Sequence, residues 1–127
     1  MKNLKDILLI QESQDHELHE ICLQLDHNET VYKQNYWPLV QNLVKKHKKG
    51  DFDIKKLEQS MVVGVLIGAC MKAANVNTLA GENRKKLRKL VVADLLKTIS
   101  DEGETLTKEE EDYMIQWDYN DSKVLNW

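Results

Sequence analysis

The sequence predicts an all-α fold: one domain of about five helices around a buried helix at about residues 54–74. Residues Met61 to Met71 run eleven positions without a charge, and no other stretch is so apolar. Outside that run, apolar residues recur at spacings of three and four, the period of a helix with one wet face. Only five glycines and one proline occur among 127 residues, too few turn-formers for a sandwich or barrel. That length fits one domain and suffices for a core without disulfide or metal staples.

Each element follows from local signals. Leu4, Ile7 and Leu8 begin a helical stripe, and Leu18, Ile21, Cys22 and Leu25 continue one. Gln11 to Glu17 are polar throughout, so a joint is expected near Ser13. Asp26-His27-Asn28-Glu29 reads as a turn. The next helix is expected from about Thr30 to Lys48, with Tyr32, Tyr36, Leu39, Leu43 and His47 on one face. Pro38 lies inside this pattern, and the apolar phase continues through it, so the helix should kink there. Gly50 suits a left-handed stop after the cations of Lys45 to Lys49. Asp53 is the expected cap of the 54–74 helix, with Phe52 and Leu57 as a hydrophobic staple. A fourth helix opens at Thr78 or Gly81 and reaches about Ser100, burying Leu87, Leu90, Val91, Leu95, Leu96 and Ile99. Thr107-Lys-Glu-Glu110 is a capping box for a short last helix, which Tyr113, Met114 and Trp117 give an apolar edge. Val124, Leu125 and Trp127 suggest that the 119–127 tail docks on the body or on a partner.

The bulk features exclude several classes. Two cysteines, Cys22 and Cys70, make neither a disulfide framework nor a zinc set, and suit a reducing compartment. The apolar run is about half the length that a bilayer span requires. A cytoplasmic protein without membrane contact or cofactor is therefore expected. No phosphate-binding glycine loop, nucleophile elbow or His-Glu-x-x-His motif occurs, which speaks against an enzyme. His16, His19 and Cys22 recur every three residues with His27 beyond. They border an apolar stripe and lack a fourth tetrahedral ligand, so a structural role is favoured over metal. Asp51 and Asp53 are explained by turn and cap roles. Asp94 is expected on the wet side of its helix.

The net charge of −3 is segregated: −4 over residues 1–44, +8 over 45–100 and −7 over 101–127. Such a chain can neutralise itself or present two distinct surfaces. The acidic surface comprises Glu104, Glu109, Glu110, Glu111, Asp112, Asp118 and Asp121. The basic one comprises Lys45, Lys46, Lys48 and Lys49 with Arg84, Lys85, Lys86, Arg88 and Lys89. Ser60, Gly64 and Gly68, spaced by four, form a stripe that admits close approach of another helix, from the same chain or from a second copy as a dimer seam.

The segment Tyr36-Trp37-Pro38-Leu39-Val40, followed by Lys45-Lys46, Lys48-Lys49-Gly50 and Phe52-Asp53, resembles a pattern in small, uncharacterised helical proteins encoded by bacteriophages. The likeness covers about residues 32–70, and the Gly-x-x-x-Gly helix and acidic last third depart from it. It implies a phage or mobile-element origin and action inside a bacterial host cell. With the absence of a catalytic constellation, the expected function is a non-enzymatic protein that binds and inhibits or modulates a host protein. A bacterial defence complex of the CRISPR type is one such target, and an acidic helical surface can imitate nucleic-acid phosphates. The alternatives are a nucleic-acid-binding accessory protein that uses the basic runs, and a structural or assembly protein.

Overall fold

A computed structural model describes residues 17, 18, 20–22 and 32–117, with the backbone alone at 32–34. The expected joint near Ser13, the turn at 26–29 and the 119–127 tail lie outside these residues. The fold is an all-α bundle, and no strand occurs among the described residues. Near the N-terminus, helical Leu18, Ile21 and Cys22 are fully buried, as their spacing predicts.

Helix α1 (Tyr32–Lys48) is kinked where Tyr36 leaves the helical region at φ −123°, ψ 15°. The helix restarts with Pro38 in its first turn, where a missing N–H breaks no intrahelical bond. Its far end closes on Gly50 at φ 78°, with Asp51 N donating to Lys46 O and Gly50 N to His47 O. This pair of bonds is a Schellman stop, and it needs the left-handed backbone that glycine adopts without strain.

The expected helix at 54–74 is two helices, α2 (Ile54–Glu58) and α3 (Met61–Ala73). Asp53 caps the first as predicted, accepting from Lys55 N and Lys56 N. Ser60 divides them: its hydroxyl donates to Leu57 O behind it and accepts from Val63 N ahead. A serine that satisfies backbone on both sides competes with a continuous helix, so it becomes the cap of α3.

The buried centre is also elsewhere than expected. Helix α4 (Gly81–Asp101) packs against each of the other four named helices. It supplies Leu87, Leu90, Val91, Leu95, Leu96 and Ile99, six of the eleven largest fully buried side chains among the described residues. Helix α3 supplies Val63 and Leu66 to that set. Met61 of α3 is 85% exposed and Val65 is 41% exposed. Hydrophobicity measures the preference for leaving water, whereas centrality depends on how many neighbours converge. The longer helix, with about 30 Å of axis, reaches all of them.

Helix α5 (Lys108–Gln116) folds back along α4 after a second left-handed stop at Gly103. The predicted capping box is present: Glu110 N donates to Thr107 Oγ1 at 3.1 Å, and Thr107 N donates to Glu110 Oε1 at 2.8 Å. Removing the hydroxyl by Thr107→Ala should cost about 1 kcal/mol of stability, read by urea denaturation.

Candidate functional site

The end of the bundle where α1 and α4 finish and α5 begins gathers the acidic residues. His47, in the last turn of α1, projects between two of them. Its Nε2 lies 2.8 Å from Glu110 Oε1 and its Nδ1 lies 3.4 Å from Glu104 Oε1. Phe52 packs edge-on against the imidazole, with ring centroids 5.3 Å apart. A neutral imidazole donates from only one nitrogen, so two carboxylate partners call for the protonated ring. Burial alone would lower the His47 pKa. Hydrogen bonds to Glu110 and Glu104, with their charges, outweigh it and raise the value above the usual 6.5.

This arrangement divides the acidic surface. Glu110 is only 6% exposed and is held by His47 and the Thr107 backbone, so it does not belong to a partner-binding face. Glu104 is half-buried and turned toward the same ring. Glu109, Glu111 and Asp112 remain exposed on α5, with Asp101 and Glu102 exposed at the end of α4 beside them. Asp118 and Asp121 lie outside the described residues.

The basic residues divide as well. Arg88 donates from Nη1 to Glu58 O at 2.9 Å, closing the C-terminus of α2. Lys89 Nζ sits 4.7 Å above the Trp117 ring, tying the end of α5 to α4. These two cations serve the fold and do not form part of an open patch. Lys86 is half-buried, whereas Arg84 and Lys85 are exposed. Lys45, Lys46, Lys48 and Lys49 are all exposed. The two runs sit at opposite ends of α4, separated by about 20 Å along its axis. Helix α2 lies between them: its exposed Lys56 shares a cleft with Lys46, and its last carbonyl, at Glu58, accepts from Arg88.

The remaining candidates resolve into structural roles. Both thiols are buried, and burial pushes the Cys22 and Cys70 pKa values up to about 12, which makes them poor nucleophiles. His16, His19 and His27 lie outside the described residues, among which no group of three potential ligands could hold a metal. Asp53 caps α2 and Asp51 is exposed in the turn. Asp94 is half-buried where a solvent-facing side chain was expected, and its charge adds to the shift at Cys70. Two linkages went unread: the His47 pair, and Tyr113 donating its hydroxyl to the Glu58 carboxylate. The signal for the first was present. A histidine one turn beyond Leu43 on an apolar face is headed for burial and needs a polar partner.

Two clefts flank this end. One of about 390 Å³ lies between the starts of α2 and α5, lined by Phe52, Lys55, Thr107, Glu109 and Glu110 among others. A second of about 410 Å³ is lined by Leu43, Phe52, Leu57 and Val62 together with Lys46 and Lys56. Both are open and carry mixed polar and apolar walls, which suits contact with another surface better than enclosure of a small molecule.

Fold and surface together define a helical bundle with a charged end. No protein-family description matches the chain, and comparison with curated proteins and with solved structures finds no similar protein. Among the described residues, no helix is long and apolar enough to cross a membrane.

Proposed function

We propose that the protein acts by binding, and that it holds a basic surface of a host protein against the acidic end of the α4–α5 hairpin. One observation carries this reading: Asp101, Glu102, Glu109, Glu111 and Asp112 are all exposed within the stretch 101–112 that joins α4 to α5. None of the five has an ion pair within 4 Å in the described structure. His47 and the capping box hold the scaffold beneath them, so the carboxylates are presented from a fixed base. The phage-like pattern at residues 32–70 supports a target inside a bacterium, for which a nucleic-acid-handling defence complex has the right surface charge.

The triple variant Glu109→Gln, Glu111→Gln, Asp112→Asn tests the reading. Capture of the host partner should drop by about tenfold or more while melting changes little, and wild-type capture should weaken with added salt. Equal capture by the wild type and the neutral triple variant would remove the acidic surface from the account. A second reading rests on Lys45, Lys46, Lys48 and Lys49, four exposed cations at the end of α1. Under it, duplex or single-stranded nucleic acid binds at low salt, and replacing those lysines by glutamine abolishes binding.

A further inference from the structure

We infer that His47 is a proton-operated latch on the loop between α4 and α5: the charged ring holds Glu104 against the bundle, and the neutral ring keeps Glu110 and lets the Glu104 side chain go. The two carboxylates are held unequally. Glu110 Oε1 lies 2.8 Å from Nε2, and its side chain is 8% exposed. Glu104 Oε1 lies 3.4 Å from Nδ1, and its side chain is 21% exposed. When one proton leaves the ring, one nitrogen becomes an acceptor, and its lone pair then faces a carboxylate that can only accept. Such a pair repels, and the partner with a way out to water leaves. Glu110 has none: it is buried, and the same oxygen also accepts from Thr107 N at 2.8 Å. The proton therefore comes off Nδ1 and goes to solvent, Nε2–H stays on Glu110, and the Glu104 side chain turns outward.

The backbone around Glu104 confines the movement to the side chain. Glu104 N donates to Ile99 O and Gly103 N to Ser100 O, and Leu106 is buried in the core two residues further on. Glu110, from α5, and Glu104, from the loop, are the charges that act on the ring. The turn before α2 meets the ring with the edge of Phe52, and Asp53 of that turn is committed to the first amides of α2. Lys55 of α2 is exposed in the cleft that Glu110 also lines. Lys46 and Lys48 of α1, Asp51 of the turn, Asp101 and Glu102 at the end of α4, and Glu109 and Glu111 of α5 are exposed, where water and salt screen them. Release takes one positive charge out of this end of the bundle and adds one carboxylate to the exposed acids there. The end is thus more negative above the transition than below it. The latch does not depend on what those acids bind.

NMR of the full chain, with the histidine rings labelled with 15N, tests it over about pH 5 to 9. The His47 signals are assigned by their loss in His47→Gln. His47 should titrate above the ordinary 6.5, and the ring 15N shifts should show the neutral form protonated at Nε2. Nuclear Overhauser contacts from the ring protons to the Glu104 methylenes should be present below the midpoint and lost above it, while those to Glu110 persist throughout. Glu104→Gln should lower the midpoint by about half a unit or more, since a neutral amide favours the charged ring less than a carboxylate does. That amide accepts from the imidazolium and, turned over, donates to the neutral nitrogen, so its contact with the ring should survive on both sides of the midpoint. Contacts to Glu104 that persist above the wild-type midpoint would overturn the inference, as would a neutral ring protonated at Nδ1. So would loss of the Glu110 contacts in place of those to Glu104, or a midpoint at or below 6.5.

Discussion

Leu90→Ala is expected to cost about 3 kcal/mol of unfolding free energy, while Val65→Ala in the most apolar helix should change it by about 0.5 kcal/mol or less. Leu90 sits mid-way along α4, essentially inaccessible to solvent, on the helix that contacts all four other named helices. Deleting most of its side chain forfeits the transfer energy of the lost methyl groups. It also leaves a cavity that close-packed neighbours fill only in part. Val65 lies on the exposed side of α3 and loses little on truncation. Urea denaturation of the two variants in dilute solution separates the two pictures of the fold. A larger loss at Val65 than at Leu90 would restore α3 as the centre of the bundle.

Replacing His47 with glutamine is expected to destabilise the protein by about 2 kcal/mol at pH 6, with the loss shrinking as pH rises. The histidine and Glu110 side chains are both more than nine-tenths buried, and removing one member of such a pair strands the other's charge. The loss stays below the upper range for broken buried pairs because Glu110 keeps the Thr107 N–H. The pH direction follows from linkage. His47 has a raised pKa in the folded protein, so the folded state binds its proton more tightly than the unfolded chain. That contribution is complete below the unfolded value of 6.5 and is lost as pH rises through the higher folded value. The difference in melting temperature between the wild type and His47→Gln should therefore narrow from pH 6 into the alkaline range. A residual gap should persist, since a neutral imidazole still makes one of the two bonds. A gap that held constant or widened would exclude the doubly bonded imidazolium.

Most helix boundaries were legible because their causes are local. Asp53, Gly50 and the Thr107/Glu110 box each act within a few residues of themselves, and each stands where the sequence placed it. The joint at Ser60 was missed although its signal was local too. Ser60, with the apolar Met61-Val62-Val63 turn directly after it, is an N-terminal cap pattern at the edge of the apolar run. The charged sites were legible as runs but not as surfaces. Arg88 and Lys89 look like their neighbours in sequence, yet one closes a helix 30 residues earlier and the other covers Trp117. Glu110 looks like Glu109 and Glu111, but the helical period turns it inward toward His47.

The sequence by itself determined the helical class, most of the element ends and the segregation of charge, because propensity, capping and period act over a turn or two of chain. Tertiary structure decided which helix is central and which charges are held inside the fold. Those outcomes depend on groups far apart in the chain: His47 meets partners 57 and 63 residues away, and α4 gathers helices from both sides of it in sequence. A residue's own chemistry sets what it requires when buried, and only the packing of the whole chain determines whether it is buried and what it then meets.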